Sequence, residues 1–118
     1  MIVPTIVSLA TDATRLAPRN PACWSALGCA QYRAGHWQAA REALARATEL
    51  RKSDRGVDLF FLAMAHWQLG DRDKANRTYD QACAWTDKNA PNNKELRAIQ
   101  GEARALLGRA GPTPVVRM

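Results

Sequence analysis

Cysteine is scarce and unpaired in this 118-residue chain: Cys23, Cys29 and Cys83 form no CxxC pair and stand near no paired histidines. That argues against a disulfide framework or a zinc site and for a reducing compartment, with each thiol acting as a small buried hydrophobe. β-Branched residues are few beyond the first fifteen positions, while alanine, leucine, arginine and glutamine dominate, so helix is favoured over strand. No Lys/Arg run occurs. The 17 basic residues are scattered from Arg15 to Arg117 among 11 acidic ones, and the net charge of +6 reads as a solvated basic surface rather than a nucleic-acid tail. The N-terminal stretch MIVPTIVSLATDATRL lacks a basic start and a continuous apolar run, so neither a signal peptide nor a membrane span is expected. A cytoplasmic location follows as the expectation.

Catalytic constellations are missing too. His36 and His66 have no second ligand or nucleophile at useful spacing, and Ser25 lies in no G-x-S-x-G elbow. Asp71 and Asp73 fall where carboxylates favour a helix N-terminus, which makes capping the better account than metal binding. Phosphate loops and dinucleotide fingerprints are absent. No enzyme activity, cofactor or metal is expected.

What is present is an internal repeat. At an offset of 35, Gly35 falls on Gly70, Ala40 on Ala75, Ala47 on Ala82, Leu27 on Leu62 and Gly28 on Ala63. Trp24 falls on Leu59 and Leu44 on Tyr79, so large apolar residues meet large apolar residues. A period of this size marks stacked units, each too small to bury its own apolar face. Each unit reads as two helices. Asn20-Pro21 starts the first helix and Gly35 ends it, and a second helix runs from about Trp37 to Leu50. In the copy, Ser53 or Asp54 caps a helix ended by Gly70, and Asp71 caps one running to about Trp85. Small residues (Gly28 and Ala63 facing Ala40, Ala47, Ala75 and Ala82) let the paired backbones approach, and the burial gained offsets the roughly 1 kcal/mol cost of a mid-helix glycine.

Trp24-x-x-Leu27-Gly28, Gly35, Ala40, Leu44 and Ala47 are similar to the signature of the tetratricopeptide repeat (TPR) family. The departures are Gln31 in the tyrosine slot, Leu44 in the helix-B aromatic slot and Lys52 in place of the closing proline, with Leu59 and Ala63 replacing Trp and Gly in the second copy. The resemblance implies an all-α, TPR-like right-handed superhelical solenoid of about six helices. The expected divisions are a half repeat (helix B) over 3–19, repeats over 20–53 and 54–88, a capping helix over 92–108 and a disordered tail over 109–118. In the capping helix Asn92 and Glu95 resemble a capping box, Gly101 and Gly108 keep the spacing of Gly28 and Gly35, and Leu96, Ile99, Ala103 and Leu106 form an apolar stripe. The second repeat and last helix also look like C-terminal TPR segments of large bacterial regulatory proteins, some of them linked to serine/threonine kinases. None of the kinase motifs occurs here.

By resemblance, the A helices line a concave face, and their ligand-facing slots hold Ala22, Ser25, Cys29, Tyr32 and Arg33, then Val57, Phe60, Met64, Trp67 and Gln68. The implied function is non-catalytic binding of a peptide or partner helix there, as an adaptor or scaffold. The groove lacks the lysine and asparagine set that TPRs use to clamp a C-terminal carboxylate. Covering of Phe60, Met64 and Trp67 by the last helix is the competing expectation for those three. The alternatives are electrostatic binding of nucleic acid and a purely structural fragment, with self-association through the N-terminal half repeat as a further option.

Overall fold

The computed structural model describes residues 2–51 and 56–109, with side chains from Thr5 onward. The expected cap at Ser53 or Asp54, the Lys52 slot and the tail beyond Arg109 lie outside the described residues. Six helices follow one another without a strand among the described residues: α1 (Ile2–Leu16), α2 (Pro21–Arg33), α3 (Trp37–Leu50), α4 (Gly56–Gln68), α5 (Arg72–Asn89) and α6 (Lys94–Leu107). The broadest packing joins α2 to α3 and α4 to α5, so the chain is an all-α stack of helical hairpins. α4 also rests on α2, α3 and α6, while α1 packs on α2.

Local chemistry explains the ends. Asn20 Oδ1 accepts the Ala22 N–H at 2.9 Å, and Pro21 starts α2 where its missing N–H costs nothing. Gly35, Gly70 and Gly108 all sit at positive φ. After each, one N–H reaches back five residues to close the helix: His36 to the Gln31 carbonyl, Asp71 to His66 and Arg109 to Arg104. Two expected boundaries shift. α5 continues to Asn89 rather than ending near Trp85, and stops at Ala90, the residue that Pro91 pushes out of helical geometry. The cap of α6 is Asn93 rather than Asn92, its Oδ1 accepting the Leu96 N–H at 3.0 Å.

The core runs along the hairpin interfaces, with Ala40, Leu44, Ala47, Phe60, Met64, Ala75 and Ala82 fully enclosed. Gly28 is where the first hairpin closes most tightly. A Cβ built there would lie 2.7 Å from Leu44 Cδ2 and 3.2 Å from the Leu44 backbone nitrogen. Leu44 occupies the space that a side chain at 28 would need. Gly56 makes a comparable approach, 2.7 Å from Leu96 Cδ2 and 3.2 Å from Trp85 Cε3, which seats the start of α4 against α5 and α6. Gly101, also inside a helix, has only Arg104 Nη2 within reach, at 3.8 Å.

The two mid-helix glycines should therefore respond oppositely. Gly28→Ala should lower stability by about 1–3 kcal/mol, because overpacking against Leu44 exceeds the helix-propensity gain. Gly101→Ala should raise it by about 0.5–1 kcal/mol, since propensity acts there unopposed. Urea melts of the two variants beside the parent chain check both signs.

Candidate interaction face

Of the ten slot residues, the eight other than Ala22 and Val57 are the candidates for recognition, and they separate into three groups. Phe60 and Met64 are 0 % exposed, and Tyr32 is buried as well, so the structure moves these three from the expected open face into the core. The cause is the tight stack. Tyr32 is wedged between Trp37 and Phe61, with ring centroids 5.0 and 5.6 Å away, and Phe60 meets Tyr79 edge-on at 5.8 Å. Burial, first of all, holds the Tyr32 phenol above its ordinary pKa. Gln68 follows Tyr32 inward and donates an amide hydrogen to its hydroxyl at 3.4 Å. Trp67 is half-buried and carries the Arg72 guanidinium 4.6 Å over its ring.

Ser25 and Cys29 belong to a second cluster that the sequence did not announce. Ser25 donates its hydroxyl to Asp58 Oδ1 on α4, and Arg51 Nε lies 3.2 Å from Asp58 Oδ2. Asp58 is 1 % exposed yet stands in the first turn of α4, where the helix dipole also favours its charge. Nothing local in the sequence marks this carboxylate as buried, because an acid in a first helical turn usually faces water. The group ties α2 to the start of α4 and to the end of α3. Beside it, burial and the Asp58 charge push the Cys29 thiol up to about 12, against smaller opposing effects of Arg33 and Ser25.

Arg33 is the most exposed of the set. Its guanidinium donates to both oxygens of Glu102 on α6, at 2.5 and 2.9 Å, and lies 5.1 Å over the Phe61 ring. Hydrogen bonding to Glu102 raises the Arg33 pKa, and the same bond holds the Glu102 carboxyl below its usual range. This pair bridges α2 and α6 across α4. On the other side of Arg33 a cleft of about 260 Å³ opens between α1 and α2, lined by Ile6, Ala26, Cys29, Ala30 and Arg33. Two expected residues, Cys29 and Arg33, thus share one wall of an apolar cleft, joined by Ile6 and Ala26, which sequence inspection passed over.

The large apolar side chains left exposed among the described residues are Ile6, Leu9 and Leu16, at 46, 65 and 87 %. All three lie on α1 at 3-4-3 spacing with Ala13, the rhythm of a helix seam without a partner. Among the described residues no group of three or more His, Cys, Asp or Glu side chains is placed to hold a metal. His66 Nδ1 is buried without a hydrogen-bond partner, and burial lowers the pKa of its ring. No helix among the described residues is long and apolar enough to cross a membrane. The family model of the tetratricopeptide repeat matches residues 21–54, which are α2 with α3 and the residues after it. No curated protein matches the chain.

The Cys29 environment gives a direct test. At pH 8 a thiol with a pKa near 12 is almost wholly protonated, so Cys29 should resist iodoacetamide in the native chain and react on unfolding in urea. Mass spectrometry of peptides from timed quenches would show the protection; rapid native labelling of Cys29 would contradict it.

Proposed function

We propose that this chain, which carries a tetratricopeptide repeat over residues 21–54, is a non-catalytic, cytoplasmic interaction module that works as an adaptor or scaffold segment. Tetratricopeptide repeats generally mediate protein–protein interaction, and stacked helical hairpins offer their partners extended surfaces. The observation that carries the reading here is the cleft between α1 and α2. There an A helix leaves apolar surface open beside a cation, and the exposed Ile6 of α1 lines it, with Leu9 exposed on the same helix. The working face accordingly lies on the side of α2 that faces α1, formed by Ala26, Cys29 and Arg33. Phe60, Met64 and Tyr32 support it from beneath as core.

Self-association through α1 is the second reading, favoured by the same exposed stripe of Ile6, Leu9 and Leu16. Nucleic-acid binding finds less support. Arg33, Arg51, Arg97 and Arg109 each pair with a carboxylate between helices or at a helix junction, so much of the positive charge serves the fold rather than an open stripe.

A diazirine-bearing amino acid placed at Ala26, and as a control at exposed Arg77 on α5, tests the face in living cells. Irradiation should give protein adducts from position 26 and far fewer from position 77. Equal yields at the two positions, or adducts from 77 alone, would refute the assignment.

A further inference from the structure

The fold contains a filled copy of the open cleft. Shifting α2 onto α4 by 35 residues and α1 onto α3 by 34 places Ile6 on Ala40, Ala26 on Phe61, Cys29 on Met64, Ala30 on Ala65 and Arg33 on Gln68. In the filled copy Ala40, Phe61, Met64 and Ala65 are all buried, and α2 packs on both α3 and α4 there. Tyr32 of α2 rests on Phe61, and Gln68 reaches the Tyr32 hydroxyl. In the open copy Ile6 and Ala26 stay exposed, and no helix among the described residues stands where α2 stands in the other.

Four differences say what would fit. Ala26 and Cys29 replace Phe61 and Met64, which opens space on the α2 wall, while Ile6 replaces Ala40 and narrows the α1 wall. The socket of about 260 Å³ that remains is apolar and calls for a bulky apolar side chain. Arg33 replaces Gln68, so the position opposite calls for a carboxylate where Tyr32 offers a hydroxyl. Asp12, an acid on α1, is paired with Arg15, so the charged group lining the cleft is Arg33, which Glu102 holds from α6. The chain's own last helix does not meet these demands. α6 turns Arg97, Gln100 and Arg104 toward an open polar cleft with Asp87, a face both cationic and hydrophilic.

Resting on the interaction function proposed above, we propose that the α1–α2 cleft receives an amphipathic helix from a partner protein, laid in the position that α2 takes over α3 and α4. That helix carries an aromatic or other bulky apolar residue for Ala26 and Cys29 and, near it, an aspartate or glutamate for Arg33. The partner acid competes with Glu102 for the guanidinium, so occupancy of the cleft weakens the bridge to α6.

A phage-displayed library of 15-residue amphipathic helices, varied at the apolar and flanking charged positions, is selected on the full chain. Enriched helices should pair a bulky apolar residue with an acid, and their synthetic peptides should bind Ile6→Asp and Ala26→Trp at least tenfold more weakly than the parent. The double variant Arg33→Glu with Glu102→Arg keeps the ion pair and reverses the rim charge. Selection on it should favour basic helices. Circular dichroism melts confirm that each variant is folded. Absence of enriched helices, or peptides that bind Ile6→Asp and Ala26→Trp as well as the parent, would overturn the proposal. So would sedimentation as a dimer that Ile6→Asp dissolves, since a second copy would then fill the socket. Adducts from Ala26 in cells together with a failed selection would leave the interaction face standing and remove only the helical partner.

Discussion

The closeness of α2 to α3 depends on a side chain that is missing. With Leu44 seated in the space of a Cβ at Gly28, the two backbones come near enough for Ala40 and Ala47 to be enclosed completely. Small residues on the facing helix leave no room for water, and the volume is filled from the sides by Leu27, Leu44 and Tyr32. The second hairpin meets the same requirement with Ala63, Ala75 and Ala82, all fully buried, and uses Tyr79 where the first uses Leu44. Once both hairpins are narrow, α4 is enclosed by α2, α3, α5 and α6 together, and Phe60 and Met64 have no exposed surface. The apolar surface left open beside Arg33 accordingly lies toward α1, where we propose the interaction face.

The two ends of the stack are finished differently. At the C-terminal end α6 buries Leu96, Ala103 and Leu107 and leaves Lys94, Glu95 and Glu102 exposed on its outer face. Arg109 then folds back over the Tyr79 ring at 4.8 Å and bonds Asn76 and Asp80 on α5, at 2.9 and 2.8 Å, so the residue expected to begin a loose tail is anchored. A polar outer face is what a terminal repeat needs in water. At the other end α1 leaves Ile6, Leu9 and Leu16 to solvent. One end resembles a cap and the other an interface, and the difference is one of side-chain chemistry, since both ends are single helices of similar length.

Much of this order was legible in the chain itself. A period of 35, three glycines at helix ends and an Asn-Pro start locate the helices, because those features act through local backbone chemistry. The end of α5 was harder: polar residues such as Asp87, Lys88 and Asn89 are compatible with both helix and loop, and only Pro91 sets the limit. The recognition residues were the least legible. Assigning Phe60 and Met64 to a concave surface presumes a wide groove, and groove width depends on how closely successive A helices pack, which no single repeat encodes. Asp58 pairs with Ser25 across 33 positions and Arg33 with Glu102 across 69, separations at which the sequence carries no periodic signal.

Arginine links these themes. Arg51 neutralises the buried Asp58 at the junction of the two hairpins, Arg97 joins α6 to Asp87 of α5, and Arg109 closes the far end. The exposed pairs made by Arg97 and Arg109 contribute little each, roughly 0–1 kcal/mol, but they set which helices stay in register at their rims. Arg33 differs from the others in having a second environment. It holds Glu102 on one side and borders an apolar cleft on the other, so its planar, always-charged group can serve the fold and a partner alternately. The excess of positive charge in this chain is therefore better understood through the geometry of individual guanidinium groups than through its sum. Arg97, by comparison, borders a cleft that it shares with Asp87, Gln100 and Arg104, polar where that of Arg33 is apolar.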